Sequence, residues 1–496
     1  MAKVDLAARG NNNVTYSIPA HLPKDIFRTY DIRGEVSETG LNENVAYAIG
    51  LAVATEAQAQ KQTSVIVAND VRLSSESLKK AFIAGITEAG CDVIDIGLGP
   101  TPMMYFATHY LPAKTGVMIT ASHNPAHHNG FKIVLNGKTL SEQGIQEIAK
   151  RIEARDVTRG AAAPSRPAPV RVVRVASPRQ GSVTTKNIIP AYINAICEKL
   201  TLKKPMKVVI DAGNGAASEI APQVFRKLGC NVIELFCKYD GRFPNHHPDP
   251  TVPENLKTII ETVKKEKADI GLAFDGDADR LGVVTNTGEI IWPDRQLMLF
   301  AKDLLSRHPH EKIIFDVKCS RALSDLITQC GGKPIMWRTG HSITKAKMIA
   351  ENALLAGEMS GHIFFKDNWF GFDDGIYVGA RLLSVLSHEK KSVADVFDAL
   401  PKMINTPEIK LPMAENKKDN FMRALSEKGE FPGATKITID GLRIEWDFGW
   451  GLIRPSNTSA YLILRFEADT KNNLEKIQNL FRVQLLKIDH ELQLPF

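Results

Sequence analysis

The sequence predicts an α/β protein: three related mixed-sheet α/β domains followed by a smaller C-terminal α+β domain, set around a central cleft. Length is the first observation behind this. A chain of 496 residues has room for about three domains and for clefts between them. The second is a degenerate internal triplication, and the third is a change of pattern in the last hundred residues.

The triplication reads as strand, polar loop, helix, strand. In 64–97 the apolar run VIVA reaches Asn69-Asp70, and after a helical stretch comes GCDVIDIG. In 206–236 VVID is followed by AGNGAAS, a helical stretch and GCNVIELF. In 312–337 IIFD is followed by VKCSR, a helical stretch and CGGKPIMW. Each copy opens on a strand ending at an aspartate (Asp70, Asp211, Asp316), and each has a glycine before its second strand (Gly90, Gly229, Gly332). Short apolar runs of this kind are buried parallel strands, and parallel strands need a crossover helix.

The end of the chain differs. KITIDGLRIEW (436–446) is two alternating runs around Asp440-Gly441, a hairpin signal. A strand is expected at 461–466. Leu474, Ile477, Phe481, Leu485 and Ile488 then recur at helical spacing. Between 155 and 186 the composition shifts to Ala, Pro, Arg and Ser, which marks a boundary with an irregular segment and a possible short strand at 170–175. The helix after it carries Tyr192, Ile193, Ile196, Cys197 and Leu200 on one face. The expected divisions are a tail at 1–22, α/β domains at 23–160, 188–292 and 293–402, a connecting segment at 161–187, and an α+β domain at 403–496.

Composition excludes several classes. Net charge is +6, with no Lys/Arg tract dense enough for nucleic acid, so none is expected as a partner. The six cysteines form no C-x-x-C pair, so no zinc site of the usual spacing is expected. No apolar run is long enough to span a membrane, and residues 1–17 lack the apolar core of a signal peptide. A cytoplasmic protein, monomeric with a dimer left open, is the expectation.

Four loops carry candidate chemistry. TASHNP (120–125) follows GVMI, so a strand delivers Ser122 to a loop at a strand end, where α/β proteins bind ligands. It lacks the hydrolase elbow, and a Ser122–His123 proton relay is not expected because adjacent side chains seldom face each other. DGDADR (275–280) follows IGLAF. Asp275, Asp277 and Asp279 would repel one another unless a cation lay among them, and an all-oxygen set suits Mg²⁺ or Ca²⁺. An EF-hand fails there, because Arg280 and Asn286 stand where Gly and Glu are needed. In GEMSGH (357–362) Glu358 and Ser360 suit hydroxyl recognition. In RPSNT (454–458) an arginine with hydroxyl and amide donors suits a phosphate. Taken singly, the serine loop reads more readily as a turn, the GEMSGH loop equally as an ordinary loop and RPSNT only as a weak signal, whereas the acidic loop reads more readily as a cation site than as a solvated turn.

Taken together, in this order and one per expected domain, the four loops resemble the α-D-phosphohexomutase family. FRTYDIRG (27–34), DVKCSR (316–321) and RTGHS (338–342) also match, and the GEMSGH form resembles the phosphomannomutase/phosphoglucomutase branch. The resemblance implies that Ser122 is a phosphoserine whose phosphate also touches Mg²⁺ held by Asp275, Asp277 and Asp279. It implies that Glu358 and Ser360 read sugar hydroxyls and that Arg454, Ser456, Asn457 and Thr458 clamp the non-reacting phosphate. Tyr30, Arg33, His123, Lys318 and His362 would line the cleft. Arg280 would serve the reacting phosphoryl group, and Lys132 and His341 are the unranked candidates for proton transfer. Hexose phosphates would be the substrates and hexose 1,6-bisphosphate both intermediate and activator, turning over in the cleft while the last domain closes as a lid. Pro455 and Ser459-Ala460 depart from the branch, which often has Ala and Thr-Pro there. Two rival readings are a metal-dependent phosphatase and a catalytically silent sugar-phosphate-binding protein.

Overall fold

The protein is described by a computed structural model covering residues 15–158, 180–456 and 460–496. Asn457, Thr458 and the possible strand at 170–175 lie outside the described residues.

The first three domains share one four-stranded unit. In the first, Ser64–Asn69 lies between parallel partners Asp92–Leu98 and Thr115–Ile119, and His128–Leu135 closes the unit antiparallel to Thr115–Ile119. In the second, Lys207–Asp211 lies between Asn231–Leu235 and Ile270–Phe274, with Leu281–Thr285 antiparallel. In the third, Lys312–Asp316 lies between Lys333–Trp337 and Leu355–Gly357, with Ile363–Phe365 antiparallel. The sheets are therefore mixed for one reason in all three: the last strand returns by a short loop, and only an antiparallel strand can do so. Thr115–Ile119, Ile270–Phe274 and Leu281–Thr285 are buried at every position, as uninterrupted apolar runs require.

The first sheet is extended by Ile32–Glu35 on one edge and Val183–Thr185 on the other. The second of these comes from the stretch that the sequence assigned to a connector. Its pairing with Asp92–Leu98 means that part of this segment belongs to the first domain's sheet. The fourth domain is an antiparallel sheet, with the hairpin Thr435–Ile437 and Leu442–Trp446 turning at Asp440-Gly441 and the helix Lys471–Ile488 burying Ile477, Phe481 and Leu485 against it. Among the described residues no helix is long and apolar enough to cross a membrane.

One apolar cluster runs through the first three domains, from Ile66 and Met104 through Tyr192 and Phe274 to Phe300 and Tyr377. Tyr192, on the helix Ile189–Lys199, joins two domains with a polar bond inside this core. Its hydroxyl lies 2.9 Å from both carboxylate oxygens of Asp374. Asp374 also caps the helix Gly375–Ser387, accepting from Tyr377 N at 2.9 Å. Burial raises the Asp374 carboxyl to about 7. The folded state thus holds this proton more tightly than the unfolded chain. The resulting stabilisation is complete below the ordinary carboxyl value of 3.8 and is lost as pH rises through about 7. In Asp374→Asn, which cannot titrate, the melting temperature relative to wild type should rise between about pH 4 and pH 7.5. A difference that stays constant across that window, measured by scanning fluorimetry, would contradict the assignment.

Candidate active site

Three of the four chemistry-bearing runs occupy one topological position. TASHNP, DGDADR and GEMSGH each fill the turn between the third parallel strand and the antiparallel return strand of its domain. Triplication therefore explains why three polar loops, more than eighty residues apart, converge on one place.

The serine loop is held from below by Arg72. Its guanidinium donates to the carbonyls of Ser122 (2.7 Å), Asn124 (2.7 Å), Pro125 (2.6 Å) and His128 (3.0 Å), and its Nε to Asp70 (3.1 Å). Asp70 also accepts from Thr120 Oγ1 (2.7 Å), which in turn accepts from Ser122 N (2.9 Å). Ser122 is forced to φ +50°, a left-handed conformation that a non-glycine residue holds only when its surroundings impose it. This twist turns its side chain toward its neighbour, and Ser122 Oγ lies 3.1 Å from His123 Nδ1. The expectation that the two would not face each other is thus corrected. Burial, then Arg280 and Arg33, hold His123 well below the ordinary imidazole range, so it is neutral.

The acidic loop meets this serine across the domain boundary. Ser122 Oγ donates to Asp275 Oδ2 at 2.8 Å. The backbones touch as well: a Cβ on Gly276 would lie 2.4 Å from the Ser122 carbonyl oxygen. Asp275, Asp277 and Asp279 are fully buried, with one oxygen of each within 4.8 Å of the others. Lys132, reaching from the first domain, donates to Asp277 Oδ2 (2.6 Å) and Asp279 Oδ2 (2.5 Å). Asp277 Oδ1 and Asp279 Oδ1 are buried without a hydrogen-bond partner. Burial, reinforced by Asp277 and Asp279, raises Asp275 well above the carboxylate range. Burial opposes ionisation of Asp277 too, yet Lys132 and Thr101 pull its pKa below the ordinary value. A deficit of positive charge with unpartnered oxygens fits a hard divalent cation.

Lys132 itself is fixed as a cation. Burial works to lower its pKa, but Asp277 and Asp279 outweigh burial and raise it. His341 is the opposite case. Burial and then Lys345 push it well below the ordinary imidazole range, and its Nε2 is buried with no partner. The two unranked candidates therefore differ: Lys132 is held charged between carboxylates, while burial holds His341 in its neutral form.

The third domain's loop is similarly ordered. Glu358 accepts from Gly340 N (3.1 Å), Thr344 Oγ1 (2.6 Å) and Ser360 Oγ (3.0 Å). His362 Nε2 accepts from Arg280 Nε at 3.0 Å and its Nδ1 lies 3.0 Å from Asp373 Oδ2, which fixes the ring between the second and third domains. Arg280 approaches Asp275 at 3.8 Å. Arg33 donates to Asn124 Oδ1 (2.9 Å) and pairs with Asp31. Tyr30 packs on Gly340, where a Cβ would lie 2.4 Å from its ring and φ is +141°.

The fourth domain fixes two of the expected residues. Lys318 pairs with Glu408 at 2.7 Å, while its carbonyl accepts from Arg465 and the neighbouring carbonyls of Val317 (2.5 Å) and Cys319 (2.9 Å) accept from Arg443. Arg454 pairs with Asp440 (3.2 Å), which also accepts from Thr339 N (3.0 Å) in the third domain. Ser456 is buried beside Arg454, and its carbonyl accepts from Lys418 at 2.7 Å. A cavity of about 800 Å³ opens between the first and fourth domains, lined by Arg28, Thr29, Glu142, Arg338 and Ala460.

Sequence reasoning missed Arg72, Thr101, Lys345 and Asp373. Arg72 had a legible signal: it stands two residues past Asp70, as Lys318 stands two past Asp316. Lys345 and Asp373 (2.9 Å apart) had none, because nothing in either run marks it as facing the other. The contact at Gly276 can be tested directly. Gly276→Ala should cost about 1–3 kcal/mol by forcing the two loops apart. An unchanged denaturation midpoint would show that the backbones do not meet.

Comparison with known proteins agrees with this geometry. Models of the phosphoglucomutase/phosphomannomutase family match in order: alpha/beta/alpha domain I at 24–159, domain II at 190–288, domain III at 292–404 and the C-terminal domain at 408–482. A phosphomannomutase/phosphoglucomutase of Pseudomonas aeruginosa is 51% identical over 475 residues, 96% of this chain and 98% of that protein. A phosphoglucomutase of Neisseria meningitidis is 48% identical over 465 residues, 93% of this chain and 97% of its own. A crystal structure of a phosphoglucomutase/phosphomannomutase family protein from Burkholderia thailandensis superposes with a TM-score of 0.88 at 44% identity, covering 96% of this chain and 100% of the other. Half identity sustained through all four domains makes this chain a member of the phosphoglucomutase/phosphomannomutase family of enzymes.

Proposed function

We propose that the protein is a phosphohexomutase interconverting hexose 1-phosphate and hexose 6-phosphate, with mannose, glucose or both as the sugar. The reaction runs through phospho-Ser122 and a hexose 1,6-bisphosphate, with Mg²⁺ at the acidic loop. The names borne by the Pseudomonas and Neisseria relatives support the activity. The observation that carries the mechanism is the 2.8 Å approach of Ser122 Oγ to Asp275 Oδ2 from separate domains.

Asp275, Asp277 and Asp279 would hold Mg²⁺. When bound, the ion draws charge from phosphoryl oxygens. The chain supplies the rest. Arg72 aims Ser122 by gripping its loop, and Lys132 bridges Asp277 and Asp279 and holds Asp277 ionised. Arg280, steadied by His362, presents a guanidinium to the transferring group. Neutral His341 exchanges the proton of the sugar hydroxyl. Glu358, already oriented by three donors, reads the sugar with Ser360, and Lys318 and Tyr30 line the space. Arg454 and Ser456, with Asn457 and Thr458, hold the distal phosphate in both poses of the bisphosphate.

Labelled phosphate from glucose 1,6-bisphosphate should appear on the wild type and not on Ser122→Ala, whose mutase rate should fall by about 10³-fold or more. Full activity in that variant would end the phosphoserine reading. In Asp277→Asn the Mg²⁺ concentration for half activity should rise about tenfold or more. An unchanged titration would remove the triplet from metal binding. Free phosphate as the main product of the wild type would instead favour hydrolysis.

A further inference from the structure

A second cavity, of about 480 Å³, lies between the first and third domains, with no residue of the serine or acidic loops in its lining. Its walls are the helices Thr101–Tyr110 and His341–Glu351, the turn at 134–139 and the loop at 366–372. Ser342, Lys345, Ala346, Ile349 and Ala350 all line it and recur at spacings of three and four, so one continuous face of that helix is turned into it.

One side of the cavity is aromatic. His109 and Phe370 stack with ring centroids 4.8 Å apart, the rings of Phe370 and Phe372 stack parallel to within 5°, and Tyr105 packs 5.5 Å from Phe372. Such a wall suits the face of a flat ring. The charged lining is of one sign: Lys138, Lys345 and Lys366 line the cavity, with no Asp or Glu among the lining residues. Lys345 is matched by Asp373, but the Lys366 ammonium donates to the neutral amide oxygen of Asn352 at 2.6 Å.

We propose that this cavity binds a small amphipathic anion of the aryl-carboxylate class. The ring lies among His109, Phe370 and Phe372, and the carboxylate faces Lys138 and Lys366. The volume is within the range of small-molecule sites. Lys345 connects it to the site above, because the Asp373 carboxylate that it holds also reaches His362.

The probe is 4-phenylbutyrate, titrated calorimetrically into the full chain beside its neutral amide. One equivalent should bind, the amide should bind at least tenfold more weakly, and saturating glucose 1-phosphate should leave the binding in place. Ala346→Trp, which fills the cavity, should weaken binding at least tenfold and keep mutase activity. Should that variant fail to fold, the double variant Lys138→Glu, Lys366→Glu, at two exposed positions, should lose binding to the same degree. No saturable binding, equal binding of the amide, displacement by glucose 1-phosphate, or full affinity in the folded variants would each overturn the proposal.

Discussion

The Lys132 ammonium, buried between Asp277 and Asp279, is the interaction on which the site depends. It comes from the first domain and its partners from the second, so it sets the register between the serine loop and the acidic loop. A buried cation with two carboxylates is costly to assemble, and breaking one such contact leaves an uncompensated charge worth about 3–5 kcal/mol. That penalty makes the relative placement of the two domains nearly all-or-none. It also divides labour among the carboxylate oxygens: those facing Lys132 are taken, and Asp277 Oδ1 and Asp279 Oδ1 are left without partners.

The same logic extends outward. Each of the three repeated units offers the same hairpin turn, and each turn is locked by groups from outside its own loop. Arg72 grips the first, Lys132 the second, and Thr344 with Gly340 the third. The fourth domain is tied to the cleft through the carbonyls of Val317, Lys318 and Cys319, which accept from Arg443 and Arg465. Lys318 is therefore positioned by its backbone from one domain and by Glu408 from its side chain. Polar groups spread along 496 residues converge because the topology repeats, with no loop needing to be long.

Much of this was legible in the residues. The apolar runs ending at Asp70, Asp211 and Asp316 mark the central strands, and alternate aspartates after IGLAF mark the charge cluster. What escaped depends on conformation or on neighbours from other domains. The Ser122–His123 contact exists because φ at Ser122 is +50°, and no residue type announces that. Lys132 and His341 look alike as proton carriers until their surroundings are known: two carboxylates hold one charged, while burial beside Lys345 holds the other neutral. Val183–Thr185 was hidden because three exposed residues at a sheet edge carry no apolar pattern.

In the proposed mechanism the hydroxyl of Ser122 and the acidic triplet form one cation site across a domain boundary. A second group of potential ligands, Asp279, His362 and Asp373, lies beside it and provides an internal alternative. Crystals soaked in Mn²⁺ and measured at the manganese edge distinguish the two. One anomalous peak is expected at about 2.0–2.3 Å from oxygens of Asp275, Asp277 and Asp279 and adjoining the Ser122 side chain. A peak bound by His362 and Asp373, or none at the triplet, would contradict it.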